Sequence, residues 1–316
     1  LMVKRYHRNN TVFPASELRP EPVLKQTLTH LLDYVLPRSK DFFVTYTYIR
    51  DRMRSLRQDM ICQSICSDVS IEILECNARF HIISYQKCCC CPGFDFKQNT
   101  ENLTQCITTL NDQYKHFRAI GRPCVHEAEF YAYRLIHDPK PSDVLQEIPQ
   151  YLFSRPTIQF ALRVVGAIAE KNFWRFFELV RLAPFRMASL LLTRFTEVRK
   201  AGLANLHRAR VELPLADVVK FFGFQDTTDA RNTLIALGYS VDPNGNVDTR
   251  KYEPKDAPPA LADNQRLVGS KEGNRSLKDL ITRGDGTFNS KFDQVPPCSL
   301  PSLDFVSKPK QTSQDM

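Results

Sequence analysis

The sequence predicts an all-α helical-repeat solenoid of the TPR-like kind, followed by a winged helix and a mostly disordered C-terminal tail. Three observations carry this expectation. Apolar residues recur at helical intervals over most of residues 17–209, and the short connections there leave neighbouring helices antiparallel. The pattern then changes, over residues 212–250, to two short helices and a hairpin around Asn244-Gly245. From residue 253 onward Pro, Lys, Ser, Asp and Gly dominate and apolar residues thin out. The expected divisions are an extended basic segment over 1–16, the helical-repeat region over 17–196, the winged helix over 197–252 and the tail over 253–316.

Each element has its own signal. Pro14 closes the basic segment, and Pro20 and Pro22 precede a helix carried by Val23, Leu24, Thr27, Leu28, Leu31, Leu32 and Val35. Helical spacing resumes near Phe42 and runs through DRMRSLRQDM, residues 51–60. Residues 67–88 place Ile71, Leu74, Ala78 and Ile82 on one side of a helix, and residues 100–121 predict another that opens at Thr100 and ends at Gly121. Residues 125–138 follow, then three amphipathic segments over 155–172, 173–183 and 184–209. No fixed repeat period is present, so the repeats are degenerate. In the winged helix, Gly223 ends LADVVKFFGF, and Asp226 and Thr227 open DTTDARNTLIALGY with Asp229 in its first turn. Residues 197–209 supply the module's first helix. Short ordered pieces are expected in the tail around SLKDLITRGD, residues 276–285.

The composition narrows the function. The chain has 316 residues and a net charge of +8, and Leu1 reads as the start of a partial reading frame. Residues 253–316 carry nine basic and nine acidic side chains, so the excess lies wholly in residues 1–252. Such an imbalance leans towards polyanions. The longest apolar run, ALRVVGAIA, is broken by Arg163 and falls short of a membrane span, so no membrane insertion is expected. Four of the ten cysteines are consecutive, Cys88 to Cys91, and lack the paired spacing of a zinc site. No phosphate loop, nucleophile elbow, dinucleotide fingerprint or zinc-protease motif occurs, so neither enzyme activity nor a cofactor or metal is expected. His81, on an apolar helix, reads as a satisfied core histidine, and Glu127 and Glu129 as carboxylates that favour a helix N-terminus.

The stretch DRMRSLRQDM admits two readings. Ile49, Met53, Leu56 and Met60 share one face, and Arg50, Arg54 and Arg57 form a row directly beside it. A phosphate-binding strip usually stands far from the apolar face, so the row reads first as a seam whose guanidiniums reach neighbouring carboxylates or carbonyls. Nucleic-acid contact is the alternative. The winged helix is weighed in the same way. Asp226 and Asp229 repel phosphate where a groove-reading helix would carry donors, and eight basic side chains face seven acidic ones over 197–252. Arg199, Lys200, His207, Arg208 and Arg210 form the basic cluster, which suits contact without base readout.

The pieces VKRYHR (3–8), ELRPEPVL (17–24), DRMRSLRQDM, ARFHI (78–82), NTENLTQCITTLNDQY (99–114), GRPCVHEAEF (121–130), NFWRFFELV (172–180) and PLADVVKFFGF (214–224) occur together in this order. Through them the sequence resembles the SAC/GANP family, the PCI-domain scaffold of the nuclear-pore-associated mRNA export complex. RLVGSK (266–271) also resembles a family element. The resemblance implies a non-catalytic scaffold without cofactor, in the nucleus at the nuclear pore and envelope, with the cytoplasm also open. Its implied partners are a second PCI-domain protein, a small acidic protein of the Sem/DSS type, nuclear pore components, and RNA or other nucleic acid bound without sequence preference. Carried onto this chain, Arg208, Arg210, Lys220, Arg231 and Lys251 become the nucleic-acid candidates. Phe221, Phe222 and Tyr239 become the partner-face candidates, with burial in the module's own core the alternative for both phenylalanines. Two other readings stay open: a PCI subunit of the proteasome lid or a translation-initiation complex, and a short paralogue acting at centrosomes or spindles.

Overall fold

A computed structural model describes residues 3–7, 14–253 and 266–284. Helix α1 (Glu21–His30) begins behind Pro20, with Pro22 in its first turn, and continues through a π turn and a 3-10 turn to Arg38. Helix α2 (Phe42–Cys62) is capped by the Asp41 carboxylate, which accepts the amides of Phe43 and Val44. Ser67 and Ser70 cap α3 (Asp68–Cys88) reciprocally. Helix α4 (Phe96–Ala119) starts a full turn earlier than the predicted Thr100. Its cap is Asp95, which accepts from the Gln98 amide at 2.9 Å. Then come α5 (Glu127–His137), α6 (Pro141–Glu147), α7 (Pro156–Ala169), α8 (Phe173–Leu182), α9 (Phe185–Leu191) and α10 (Phe195–Ala209). The predicted segment 184–209 is thus two helices, divided by a 3-10 turn over Leu192–Arg194.

Packing is not that of a simple linear stack. Helices α2, α3, α4 and α5 pack in sequence, α5 on α7 and α7 on α8, yet α9 returns to lie against both α3 and α5. Helix α3 therefore has neighbours on every side. Seventeen of its 21 residues are buried, so the apolar stripe read from its sequence is only part of a helix enclosed all round.

After α10 the chain forms strand β1 (Glu212–Pro214), helices α11 (Leu215–Phe222) and α12 (Thr227–Leu237), and strands β2 (Tyr239–Val241) and β3 (Asn246–Tyr252). The three strands are antiparallel in the order β1-β3-β2, which gives the helix-and-hairpin order of a winged helix plus one short strand the sequence did not signal. Gly245 turns the hairpin at φ +82°, and Gly223 ends α11 at φ +60°. The module docks on the helical region through Phe222, which stacks on Phe173 of α8 with centroids 4.4 Å apart and rings within 3° of parallel. Gly202 of α10 makes this possible, since a Cβ there would lie 2.7 Å from both rings.

Of the region expected to be a mostly disordered tail, residues 266–284 fold against the rest of the chain; residues 254–265 and 285–316 lie outside the described residues. This strap begins where the Arg266 amide meets Gln225 Oε1. Lys271 then donates to the carbonyls of Arg181 and Ala183, and Lys87 pairs with Glu272. Burial lowers the Lys271 ammonium to about 8. Helix α13 (Leu277–Thr282) ends the strap, with Leu280 and Ile281 buried against α3.

Candidate nucleic-acid and partner interface

Arg208 closes α10 and Arg210 follows it in the left-handed conformation at φ 55°, both exposed. His207, between α10 and the sheet, holds the carbonyl of Thr249 at 2.6 Å through Nδ1, and the Thr249 hydroxyl donates to the Val211 carbonyl at 2.6 Å. These bonds fix the end of α10 to β3. The register pairs Glu212 with Asp248, so Arg210 comes level with Arg250. Lys251 is next along the strand. Arg208 and Arg210 thus lie where the end of α10 meets β3, the central strand, which carries Arg250 and Lys251.

The acids at this junction are partly engaged. Asp248 accepts from Arg250 Nε at 2.7 Å, and the Arg250 hydrogen bond holds the Asp248 carboxyl below its ordinary value. Lys251 stands 3.8 Å from the same carboxylate and is 77% exposed. Arg208 and Arg210 have no carboxylate partner among the described residues. Arg199, grouped with them in the sequence, does not belong to the surface. It is buried, donates to the carbonyls of Phe222 and Gly223 at 3.1 and 2.8 Å, and lies 3.9 Å from the Phe224 ring. It caps the C-terminal end of α11, and burial lowers it to about 10.

Lys220 and Arg231 stand on other elements. Lys220 is exposed in the last turn of α11, where its own carbonyl accepts from Arg181 of α8. Arg231 is half-buried on α12, one turn after the cap in which Asp226 Oδ1 accepts the Asp229 amide at 2.8 Å. Both acids that discouraged base readout are engaged in capping: Asp229 itself accepts the Gln225 amide at 2.9 Å.

The three apolar candidates divide as well. Phe222 is fully buried on Phe173, and Tyr239 is buried and stacked on Tyr252 with centroids 4.5 Å apart. Phe221 is half-buried and faces outward beside Trp174 of α8, centroids 4.8 Å apart. Trp174 is 45% exposed although it is the chain's single tryptophan. A signal for it was present: at helical spacing Phe173, Phe176, Phe177 and Val180 take the core face, and Trp174 falls off it.

Elsewhere, among α3, α5 and α9, lies a buried ionic cluster. Glu129 of α5 takes both Nε and Nη2 of Arg79 at 2.9 Å and lies 3.4 Å from Arg186 of α9. Burial alone would raise the Glu129 carboxyl, but the Arg79 hydrogen bonds and the charges of both arginines hold it below its ordinary value. Glu75 accepts from Tyr114 at 2.8 Å and meets His126 Nδ1 at 2.6 Å, while Glu127 pairs with Arg118 and accepts from Tyr151. Glu127 and Glu129 are therefore buried partners of arginines and not simple first-turn carboxylates. The cluster holds elements together: Arg79 and Arg186 also donate to the carbonyls of Ile281 and Leu280 in the strap. Among the described residues no three His, Cys, Asp or Glu stand together as a metal site, and no helix is long and apolar enough to cross a membrane.

Comparison with known proteins places this architecture. The model of the SAC3/GANP family matches residues 1–243. SAC3 family protein 1 of Schizosaccharomyces pombe is 30% identical over 98% of this chain, which spans 34% of that protein. Protein xmas of Drosophila melanogaster is 30% identical over 78% of this chain, which spans 13% of it. A THP3 homolog of Schizosaccharomyces pombe is 27% identical over 76% of this chain and is matched over 58% of its own length. The chain thus spans about a third or less of the first two relatives.

Proposed function

The chain belongs to the SAC3/GANP family, and from that premise we propose that it is a non-catalytic scaffold of an mRNA nuclear export complex. It pairs through its PCI domain with a second PCI-domain protein and a small acidic subunit, and the joined surface binds RNA without base readout. Its place of action is the nucleus, at the nuclear pore.

The observation that carries this reading is the basic edge where α10 meets β3. Arg208 and Arg210 are exposed there without carboxylate partners among the described residues, and β3 adds the exposed Lys251. Such an edge attracts a phosphate backbone and contains no ordered donor set for one base. Lys220 and Arg231 extend the basic surface from α11 and α12. Partner contact is assigned first to Phe221 with Trp174, the outward-facing pair beside the docked module, because exposed aromatics at a fixed angle are the usual anchors of an interface. Phe222, stacked on Phe173, anchors the same helix α11 to α8, and Tyr239 is buried in the module's own sheet against Tyr252.

The test is RNA binding by the partnered complex as salt is varied. Replacing Arg208, Arg210 and Lys220 together by Glu weakens binding and flattens its salt dependence under this reading, by about 0.7 in slope for each lost phosphate contact. Unchanged affinity and slope would remove the basic edge from the function.

A further inference from the structure

Helix α2 divides the arginine row of DRMRSLRQDM between two tasks. Arg57 turns inward, donating to Cys106 Sγ at 3.1 Å and to the Asn102 carbonyl at 3.4 Å, and is 5% exposed. Arg50 and Arg54 instead line an open cleft of about 400 Å³ between α2, α4 and the N-terminal segment 3–7. That segment is fixed along α2. Lys4 pairs with Asp59 at 3.3 Å, and Gln58 Nε2 donates to the His7 carbonyl at 3.0 Å. The cleft continues, through shared Arg5 and Arg50, into an apolar trough of about 490 Å³ over Phe43, Val44 and Tyr48, where Val44 is 65% exposed.

The charge in this cleft is unbalanced. Its one carboxylate, Asp51, is taken by Arg52 at 2.9 Å and approached by Arg5 at 4.0 Å. Arg50 and Arg54 have no carboxylate partner among the described residues and rest on rings instead. Arg54 lies 3.9 Å from the centre of Tyr6, Arg50 5.3 Å from Tyr46, and Arg52 4.0 Å from Tyr48. A ring holds a guanidinium in place without neutralising its charge, which stays available to an anion. Tyr6 lines the cleft and Tyr48 the adjoining trough, and both are half-buried, so each leaves part of its surface open there.

We propose that this cleft is a second nucleic-acid site, taking single-stranded RNA, with phosphates on Arg50, Arg54 and Arg5 and bases stacked on Tyr6 and Tyr48. Cations interleaved with half-exposed rings are what a single strand needs, because every base has a face to stack. An acidic peptide would use the cations and leave the rings without planar partners, and duplex would leave its bases unavailable. The site rests on the RNA-binding reading above but uses none of the winged-helix residues.

The experiment titrates the full chain with a short fluorescent uridine oligonucleotide, following anisotropy at several salt concentrations. In the double variant Arg50→Gln/Arg54→Gln, affinity falls about tenfold at low salt and the salt slope drops by about 1.4, two contacts at 0.7 each. An unchanged affinity in this variant, with a loss in Arg208→Glu/Arg210→Glu, overturns the α2 site and leaves the winged-helix edge standing; the reverse pattern does the opposite. Ultraviolet cross-linking of the unsubstituted chain needs no variant to fold. Uridine adducts on Tyr6 or Tyr48 support the site, and adducts confined to residues 197–252 overturn it. Competition by a polyglutamate peptide without any α2 adduct overturns it in favour of an acidic partner.

Discussion

Arg79 and Glu129 meet through two hydrogen bonds of 2.9 Å in the closed interior between α3 and α5, and the same guanidinium reaches the Ile281 carbonyl of the strap. A fork-on-carboxylate pair at this position sets the register of three separate parts of the chain. Removing Glu129 takes from Arg79 and Arg186 the carboxylate they share and leaves Arg79 the longer contact with Glu75 at 3.4 Å, so the buried positive charge is in excess. Glu129→Ala is therefore expected to destabilise the fold by about 3–5 kcal/mol, read from urea unfolding, because uncompensated buried charge is costly. A loss under about 1 kcal/mol would mean that water replaces the carboxylate.

The strap gives a second prediction. Val268, Leu280 and Ile281 are all buried at about 1% or less. A chain ended at residue 252 loses these contacts and is expected to melt at a lower temperature than the whole chain, because the apolar surface they cover on α3 returns to water. Equal melting temperatures for the truncated and whole chains would show that the strap contributes no net stability.

Gly202 carries a third. A methyl group there meets the stacked rings of Phe173 and Phe222 at 2.7 Å. Gly202→Ala should cost about 1–3 kcal/mol by overpacking. It should also increase hydrogen exchange in α11 relative to α3, because the strain falls at the docking surface of the module. Uniform exchange would place the strain elsewhere.

His81 yields a pH dependence. The ring is buried with Nδ1 2.7 Å from Asn99 Oδ1, and burial lowers it to about 3 against about 6.5 in an unfolded chain. Between these values the unfolded state binds the proton and the folded state does not. The stabilising contribution is thus complete above about pH 6.5 and is lost as pH falls towards 3, at about 1.4 kcal/mol per unit. His81→Gln should flatten the stability profile over that window in chemical unfolding. An unaltered slope would assign the acid sensitivity to the carboxylates alone.

What the sequence revealed depended on how local the cause was. The hairpin at Asn244-Gly245, the cap at Asp226 and the stop at Gly223 were legible because each is a backbone requirement met within four residues. Helix α4 starts earlier than its apolar spacing predicts because its first turn is set by the cap at Asp95, a single side-chain-to-amide bond outside that periodicity. Glu127 and Glu129 looked like first-turn carboxylates because their arginines come from positions far away in the chain. Arg199 looked like part of a basic cluster for the same reason: its acceptors are carbonyls of α11, which no spacing within α10 reveals. The row Arg50, Arg54 and Arg57 was read as a single face, yet one helical turn separates a residue enclosed by α4 from two that open onto a cleft.

The central claim is tested most directly by purifying the whole chain from nuclear extract and identifying what accompanies it by mass spectrometry, beside the variant Trp174→Ala/Phe221→Ala. The account predicts a second PCI-domain protein with a small acidic companion, both lost in the variant. Proteasome, translation-initiation or spindle components in their place, or partners retained equally by the variant, would contradict it.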